Sequence, residues 1–559
     1  MKIQIINCIC IVLMSGNTYL STAQPSRVTF RDITQQAGID FRYTFGDLTY
    51  ENILESSGSG ITVFDYDDDG DMDLYMLNGT WLKDISDPDG ENFKDTPNRL
   101  YRNNGDGTFT EVAESAGIND HHWSMTAGAV DYDHDGDTDI YLLNYGPNVF
   151  YRNNGNGTFT DITEQLGLRG PDSLNGFTKW SVSVAFWDYN LDGALDVMVG
   201  NFLAFDPAYK SPTIPDMMPH PSEYRGQTSM LYRQESDGSF TDVTREMGFY
   251  YEDSKCMGLT VFDYDDDGDM DLFQGNDHQL NFLFRNDTTS GFKEVAIAAG
   301  VAANDQGMPT GSMHGSIGDV DGDGLIDLLV TDLRYGALYR NLGNGLFEDI
   351  TKVSGVAKAF AGKGEWAAVL FDYDNDGDLD IFSANGTAEE LILQYPLLLE
   401  NDGSGHFKDI GAELSPYFSR KRSGRSAAVW DFDNDGDLDI IVSHVDLQAT
   451  ATLLRNDGGN RNHWLGITLK SKGSTAAAIG AKVSIFTGTK RQVHINQWAT
   501  SYLSYSDPRI HIGLGEDDHI DKLEIRWPDG ETEILYNVET DLYIIIDQGR
   551  GIQYINNNP

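Results

Sequence analysis

Residues 64–74 read FDYDDDGDMDL, which places six aspartates among the nine residues from Asp65 to Asp73. Carboxylates this close repel one another unless they share a cation or give up their charge. The stretch recurs as DYDHDGDTD (131–139), DYNLDGALD (188–196), DYDDDGDMD (263–271), DVDGDGLID (319–327), DYDNDGDLD (372–380) and DFDNDGDLD (431–439). These seven copies lie 53 to 75 residues apart and share the spacing D-x-[DN]-x-D-G-x-x-D. Oxygens at positions 1, 3, 5 and 9 can then converge on one ion, and glycine at position 6 permits the sharp turn.

The candidate side-chain ligands are Asp65, Asp67, Asp69 and Asp73, then Asp131, Asp133, Asp135 and Asp139, then Asp188, Asn190, Asp192 and Asp196. They continue as Asp263, Asp265, Asp267 and Asp271, then Asp319, Asp321, Asp323 and Asp327. Asp372, Asp374, Asp376 and Asp380 follow, with Asp431, Asp433, Asp435 and Asp439 in the last copy. Position 7 varies freely (Asp71, Asp137, Ala194, Asp269, Leu325, Asp378 and Asp437), as expected of a ligand that offers its backbone carbonyl. An all-oxygen set without His or Cys favours Ca²⁺ over zinc or copper, so up to seven calcium ions are expected, mainly in a structural role. An EF-hand is excluded, because its glutamate at position 12 is replaced by Met76, Leu142, Val199, Gln274, Val330, Ser383 and Val442. Asn190 is the single neutral side chain among these ligands, so the third site should be the weakest.

Two further elements repeat with the loops. LYRNNGDGTF (100–109) and its six counterparts follow each loop, and segments such as FTEVAESAGI precede it. Within a unit, ITVFDYD, DLYMLN, RLYRNN and TFTEVAE read as four short strands separated by turn residues. Four strands in each of seven units predict an all-β fold, a seven-bladed β-propeller over residues 28–457. The chain opens with a lone fourth-strand element (28–34) and the seventh unit stops after its third strand (453–457), so the N-terminal strand should close the last blade.

The formal charge of −49 excludes a nucleic-acid partner and suits a cation-loaded protein. Lys2, the apolar run Ile3–Met14 and Ser21-Thr22-Ala23 have the layout of a secretory signal over residues 1–23, and no later stretch is long and apolar enough to span a membrane. A secreted, extracellular, periplasmic or cell-surface location is expected. After removal of that signal Cys256 is the single cysteine, so calcium would substitute for disulfides.

The repeats resemble the FG-GAP/VCBS repeats of integrin α-chain propellers, whose calcium loops have this spacing. Residues 462–548 form a further series of alternating strands, read as a small antiparallel β-sandwich. IGAKV, YLSYSDPRIHIGLG and RWPDG within it resemble the ASPIC/UnbV domain. Together the two parts are similar to the cartilage acidic protein-like group. The resemblance brings no catalytic residues. His463, Trp464, His494, Trp498, His511 and Trp527 read as core rather than as a site.

Strand order puts the aspartate loops and the NNGDG turns on one rim, here the aspartate rim. The turns leading into each first strand lie on the opposite, far rim. Those turns carry Glu55; His121, His122 and Trp123; Lys179 and Trp180; Lys255; His314; Glu365 and Trp366; and Arg422 and Arg425. Converging near the axis, they would suit an anionic or carbohydrate ligand. Alternatively they cap blades and fill the channel. The insertion 201–229 on the same rim is either an ordered flap or a plain length variation. The chain therefore reads as an exported recognition or adhesion module for a glycan or extracellular protein. The alternative is an enzyme acting on acidic polysaccharide, a lyase or hydrolase, with His121, His122 or His314 as base and Arg422 or Arg425 facing the substrate carboxylate.

Overall fold

The computed structural model describes residues 28–554, apart from 216, 288–290, 334, 389, 447–448 and 473–477; the expected signal segment lies outside the described residues. Seven four-stranded blades follow one another around a ring. Blade 1 comprises Ile61–Phe64, Asp73–Met76, Arg99–Asn103 and Phe109–Glu111. Blade 7 comprises Gly424–Trp430, Asp439–His444, Thr452–Asp457 and, as its outer strand, the N-terminal Thr29–Asp32. Phe30 pairs with Asn456 and Arg31 with Arg455, so the first strand closes the ring as expected.

Each repeated element has a local reason. In AESAGI the helical turn Ala113–Ala116 ends on Gly117 at φ 81°, a left-handed C-cap that costs glycine little, and Ile118 is then fully buried. First strands are buried along their whole length in blades 1, 2, 3 and 7, because they stand between neighbouring blades and the channel.

In blades 2 to 7 the far-rim end of the first strand carries a register shift, between Ser124 and Thr126, Ser181 and Ser183, Cys256 and Gly258, Ser312 and Gly315, Glu365 and Ala367, and Gly424 and Ala427. A bulge re-aims the extra side chain. The extra residues Met125, Val182, Met257, Met313 and Trp366 all join one buried apolar cluster.

The C-terminal unit is a two-sheet sandwich. One sheet orders Ile510–Gly515, His463–Lys470, Leu542–Asp547 and Gly551–Tyr554; the other orders Lys490–Ile495, Lys482–Thr487, His519–Arg526 and Thr532–Glu539. It is antiparallel except that His463–Lys470 and Leu542–Asp547 run parallel. Its core is aliphatic, with Trp527 also buried in it.

Between Ile495 and Ile510 the chain leaves this sandwich and enters the propeller. Ala499–Ser501 and Ser504–Tyr505 form a hairpin that extends the blade 1 sheet, with Ile61 opposite Ser504 and Thr62 opposite Tyr505 in parallel. The Tyr505 hydroxyl donates to Val184 O (2.8 Å), the Ser501 hydroxyl to Ala368 O (3.0 Å), and Val429 N to the Ser506 hydroxyl (3.1 Å). These contacts fall on first strands of blades 3, 6 and 7, so the hairpin stands in the channel. At its tip Tyr502 is fully buried against Trp366, with ring centroids 5.1 Å apart.

Tyr502→Ala would open a cavity on the axis and should cost about 3–5 kcal/mol, as other large buried rings do. Calorimetry should show propeller and sandwich still melting in one transition, now lower. A separate low transition for the sandwich alone would contradict the joint packing.

Candidate functional site

All seven aspartate loops have one geometry. Position 4 is left-handed throughout, at Asp68, His134, Leu191, Asp266, Gly322, Asn375 and Asn434 with φ between 54° and 73°. The glycine at position 6 is also at positive φ, for example 90° at Gly70. This double reversal folds the loop over the position-1 carboxylate, whose Oδ2 accepts from the glycine N–H (Gly70 N to Asp65, 2.9 Å). The position-5 carboxylate accepts from the N–H of position 7, as Asp69 does from Asp71 (3.0 Å).

The position-9 aspartate is the most buried member. Asp73 Oδ2 accepts from Tyr66 N (2.9 Å) within its own loop, and Oδ1 accepts from Asn103 N (2.7 Å) on the third strand. The Asn103 side chain then reaches the preceding blade, donating to Phe432 O at 2.7 Å. The same link runs from Asn153 to Tyr66, Gln234 to Tyr132, Asn286 to Tyr189, Asn341 to Tyr264, Asn401 to Val320 and Asn456 to Tyr373. Seven such bonds close a circle. Sequence reasoning missed this residue. The RNN repetition was its signal, but beside a turn an asparagine reads as a turn residue.

Carboxylate oxygens of positions 1, 3 and 9 lie within 4.8 Å of one another at Asp65, Asp67 and Asp73, and likewise in the loops beginning at Asp131, Asp263, Asp319 and Asp372. The position-5 aspartates lie outside these five groups; at Asp69 and Asp376 one of the oxygens caps the turn by accepting from the position-7 N–H. Two observations fit a cation there. Position-3 oxygens of Asp67, Asp265, Asp374 and Asp433 are buried and have no hydrogen-bond partner. Burial also pushes the Asp73 carboxyl up to about 9, and those of Asp139, Asp196 and Asp327 up to about 8, so at neutral pH these groups call for a proton or a cation. An oxygen-only donor set suits calcium.

The sandwich rests on these loops. Tyr543 donates to Asp431 Oδ2 (2.6 Å), Arg509 donates to Asn434 Oδ1 (2.7 Å), and Arg526 pairs with Asp263 (3.0 Å). Trp464 lies so close to Gly436 that a Cβ there would stand 2.0 Å from the indole, so this glycine serves both the turn and the docking. His511 stacks on Trp464 and bonds Asn375 (2.7 Å), so two aromatics expected in a core stand at the junction with the loops.

The far-rim residues are placed otherwise than a converging ligand set requires. Glu55, Trp123, Lys179, Trp180, Lys255, His314, Glu365, Trp366 and Arg425 are all buried; His121 and His122 are exposed and Arg422 is half-buried. Glu55 accepts from Asn52 N (3.1 Å), and burial lifts its carboxyl to about 8. Lys179 donates to the Ser181 hydroxyl (3.1 Å), and burial lowers its ammonium to about 7. Trp180 is ringed by Tyr145, Phe202 and Phe205. Arg425 is fully buried and donates to Ser56 O (2.9 Å), Gly424 O (3.0 Å) and Thr387 O (2.9 Å), with its guanidinium 4.2 Å from the Trp366 ring centre. It holds three carbonyls of the fold and is not offered to solvent. The insertion supplies Met218 and Pro221 to the apolar cap over the axis, as an ordered flap would.

Leu191 adopts the left-handed conformation with a γ-branched side chain, so Leu191→Asn should stabilise the protein by about 1 kcal/mol, read from a urea midpoint. Burial lowers His314 to about 4 and His444 to about 3, so both stay neutral in the folded protein while the unfolded chain protonates near pH 6.5. Their contribution is complete above pH ~6.5 and falls by about 1.4 kcal/mol per pH unit for each histidine as the pH drops toward 4. His314→Gln should therefore flatten the stability profile between pH ~6.5 and ~4 when calcium is in excess.

A model of the FG-GAP-like repeat matches residues 85–142, 131–199, 263–330, 319–383 and 372–442, more than half of the chain. A model of the ASPIC and UnbV domain matches residues 471–553. Cartilage acidic protein 1 of Xenopus tropicalis is 29% identical over 293 residues, covering 50% of this chain and 42% of that protein. Its Homo sapiens counterpart is 30% identical over 278 residues, covering 47% and 39%. The chain thus spans about two-fifths of the length of these curated relatives. Among solved structures, an Agrocybe aegerita lectin has a TM-score of 0.38 at 17% identity, covering 65% of this chain and 87% of its own. The Aleuria aurantia lectin reaches 0.33 at 10% identity, covering 64% and 96%; both likenesses are too remote to bear on function. On its repeats and on the domain that follows them, this chain belongs to the FG-GAP-like repeat family, with a C-terminal ASPIC and UnbV domain.

Proposed function

We propose that this chain is an exported, calcium-stabilised recognition module that binds an extracellular glycan or protein through its far rim. The observation that carries this reading is the position of the C-terminal unit. It rests on the aspartate loops and fills the channel with its hairpin, which leaves the far rim as the rim that the C-terminal unit does not cover. That rim exposes large apolar side chains, among them Leu48, Met217, Tyr250 and Met308. These side chains lie in turns that lead into or cross blades 1, 3, 4 and 5, and exposed apolar groups of this size would suit a partner's surface. Calcium in the loops would neutralise the buried carboxyls and hold that surface rigid.

Chelation tests the calcium part. EDTA should lower the melting temperature by about 10 °C or more, because several sites each contribute through mass action, and calcium in excess should restore it. An unchanged melting curve would remove calcium from the account. For the surface, Tyr250→Glu with Met308→Glu should abolish binding to immobilised glycans and to intact cells, whereas Tyr536→Glu on the sandwich should not. The opposite pattern would move the binding face to the C-terminal unit.

A further inference from the structure

On the far rim, three loops of blades 6 and 7 are locked together. Gln394 and Arg422 exchange backbone hydrogen bonds of 2.7 and 2.8 Å. The Gln394 side chain accepts from Gly364 N (2.9 Å) and donates to Gly362 O (3.2 Å). Buried Arg425 and the Tyr50 hydroxyl hold Thr387 O and Ala388 O of the same loop at 2.9 and 2.6 Å. The platform is therefore fixed before any ligand arrives, which spares the cost of ordering it on binding.

This platform presents cations. Arg420 and Lys421 are exposed and Arg422 half-buried, and none of the three forms an ion pair with a described residue. Elsewhere arginines find carboxylates, as Arg169, Arg340 and Arg526 do. In a chain of net charge −49, three adjacent cations with no carboxylate partner among the described residues stand out. Glu390, in the same loop as Gln394, is exposed and pairs with none of them. Tyr395 is 46% exposed, with Lys421 Nζ 5.3 Å from its ring centre. Beside it opens a cleft of about 260 Å³ lined by His278, Lys363, Thr387 and Gln394. This is just under the ~300–1,000 Å³ of whole small-molecule sites, a size for one terminal group rather than a complete ligand.

We infer that this platform binds an acidic oligosaccharide, carboxylated or sulfated, in a proposal that rests on the far rim being the recognition face. Tyr395 offers a flat apolar surface to a sugar ring, Lys421 and Arg422 face its anionic groups, and the cleft takes a terminal unit. Arginine is suited to such groups because its planar fork matches carboxylate and sulfate oxygens. A purely acidic peptide would use the cations and leave the ring without a role.

The test uses the full chain with calcium, and titrates tetragalacturonate and a heparin tetrasaccharide by calorimetry at low salt. Maltotetraose and hexaglutamate serve as neutral and peptidic comparisons. At least one acidic saccharide should bind, weaken with added salt, and lose about tenfold or more in affinity with Lys421→Ala/Arg422→Gln and with Tyr395→Ala, while Arg550→Ala has no effect. The substituted side chains are on the surface, and an unchanged melting temperature confirms that the variants fold. Three results would overturn the inference: no binding of either acidic saccharide, binding indifferent to these variants, or hexaglutamate binding equally well with Tyr395→Ala neutral. If Tyr250→Glu with Met308→Glu abolishes recognition of some other glycan or cell surface while acidic saccharides are ignored, this inference fails and the recognition reading stands. If the far-rim variants change no binding at all, both fall.

Discussion

Everything in this structure depends on a carboxylate that is buried and shared. The aspartate at the end of each loop accepts one backbone N–H from its own loop and another from the third strand, so a single group fixes where the loop stops and where the next strand must lie. The asparagine beside that second N–H carries the constraint to the preceding blade. Because the last of these links, from Asn456 to Tyr373, follows on the first, from Asn103 to Phe432, the loops form one hydrogen-bonded ring. A buried carboxylate without a counter-charge is costly, which is why the acidic positions 1 and 3 gather around it in a form suited to a cation.

The C-terminal unit completes this arrangement rather than standing apart from it. Its arginines and Tyr543 meet the loops from outside, and its hairpin joins the first strands from within. The ring is thus held at its circumference by the first-strand/last-strand pairing, at one rim by the loops, and along its axis by the hairpin.

The repeat, its four strands, the ring-closing N-terminal strand and the loop spacing were all legible in the sequence, because each is a matter of period and position. Side-chain direction was not. At the far-rim end, alternation implies that Trp366 and Arg425 face where their neighbours' parity directs them, but the register shifts beside them turn both inward. A bulge leaves no mark in composition. The hairpin was hidden for a different reason: YLSYS alternates like any sandwich strand, and only its partners, Ile61, Val184 and Ala368, distinguish it. The run Arg420–Arg422 was readable as charge, while its lack of an ion pair among the described residues is a property of the folded surface alone.

The hairpin also imposes an order on assembly. The first strands that wall the channel lie between residues 61 and 430, so the ribosome releases every one of them before Ala499 appears. If the blades fold as they emerge, the ring gathers around a hollow that its own chain fills last. Until then Trp366 and the bulge methionines face an open axis. The C-terminal unit thus acts as an axle fitted into a finished wheel, and the propeller spends its first moments as a bearing without a shaft.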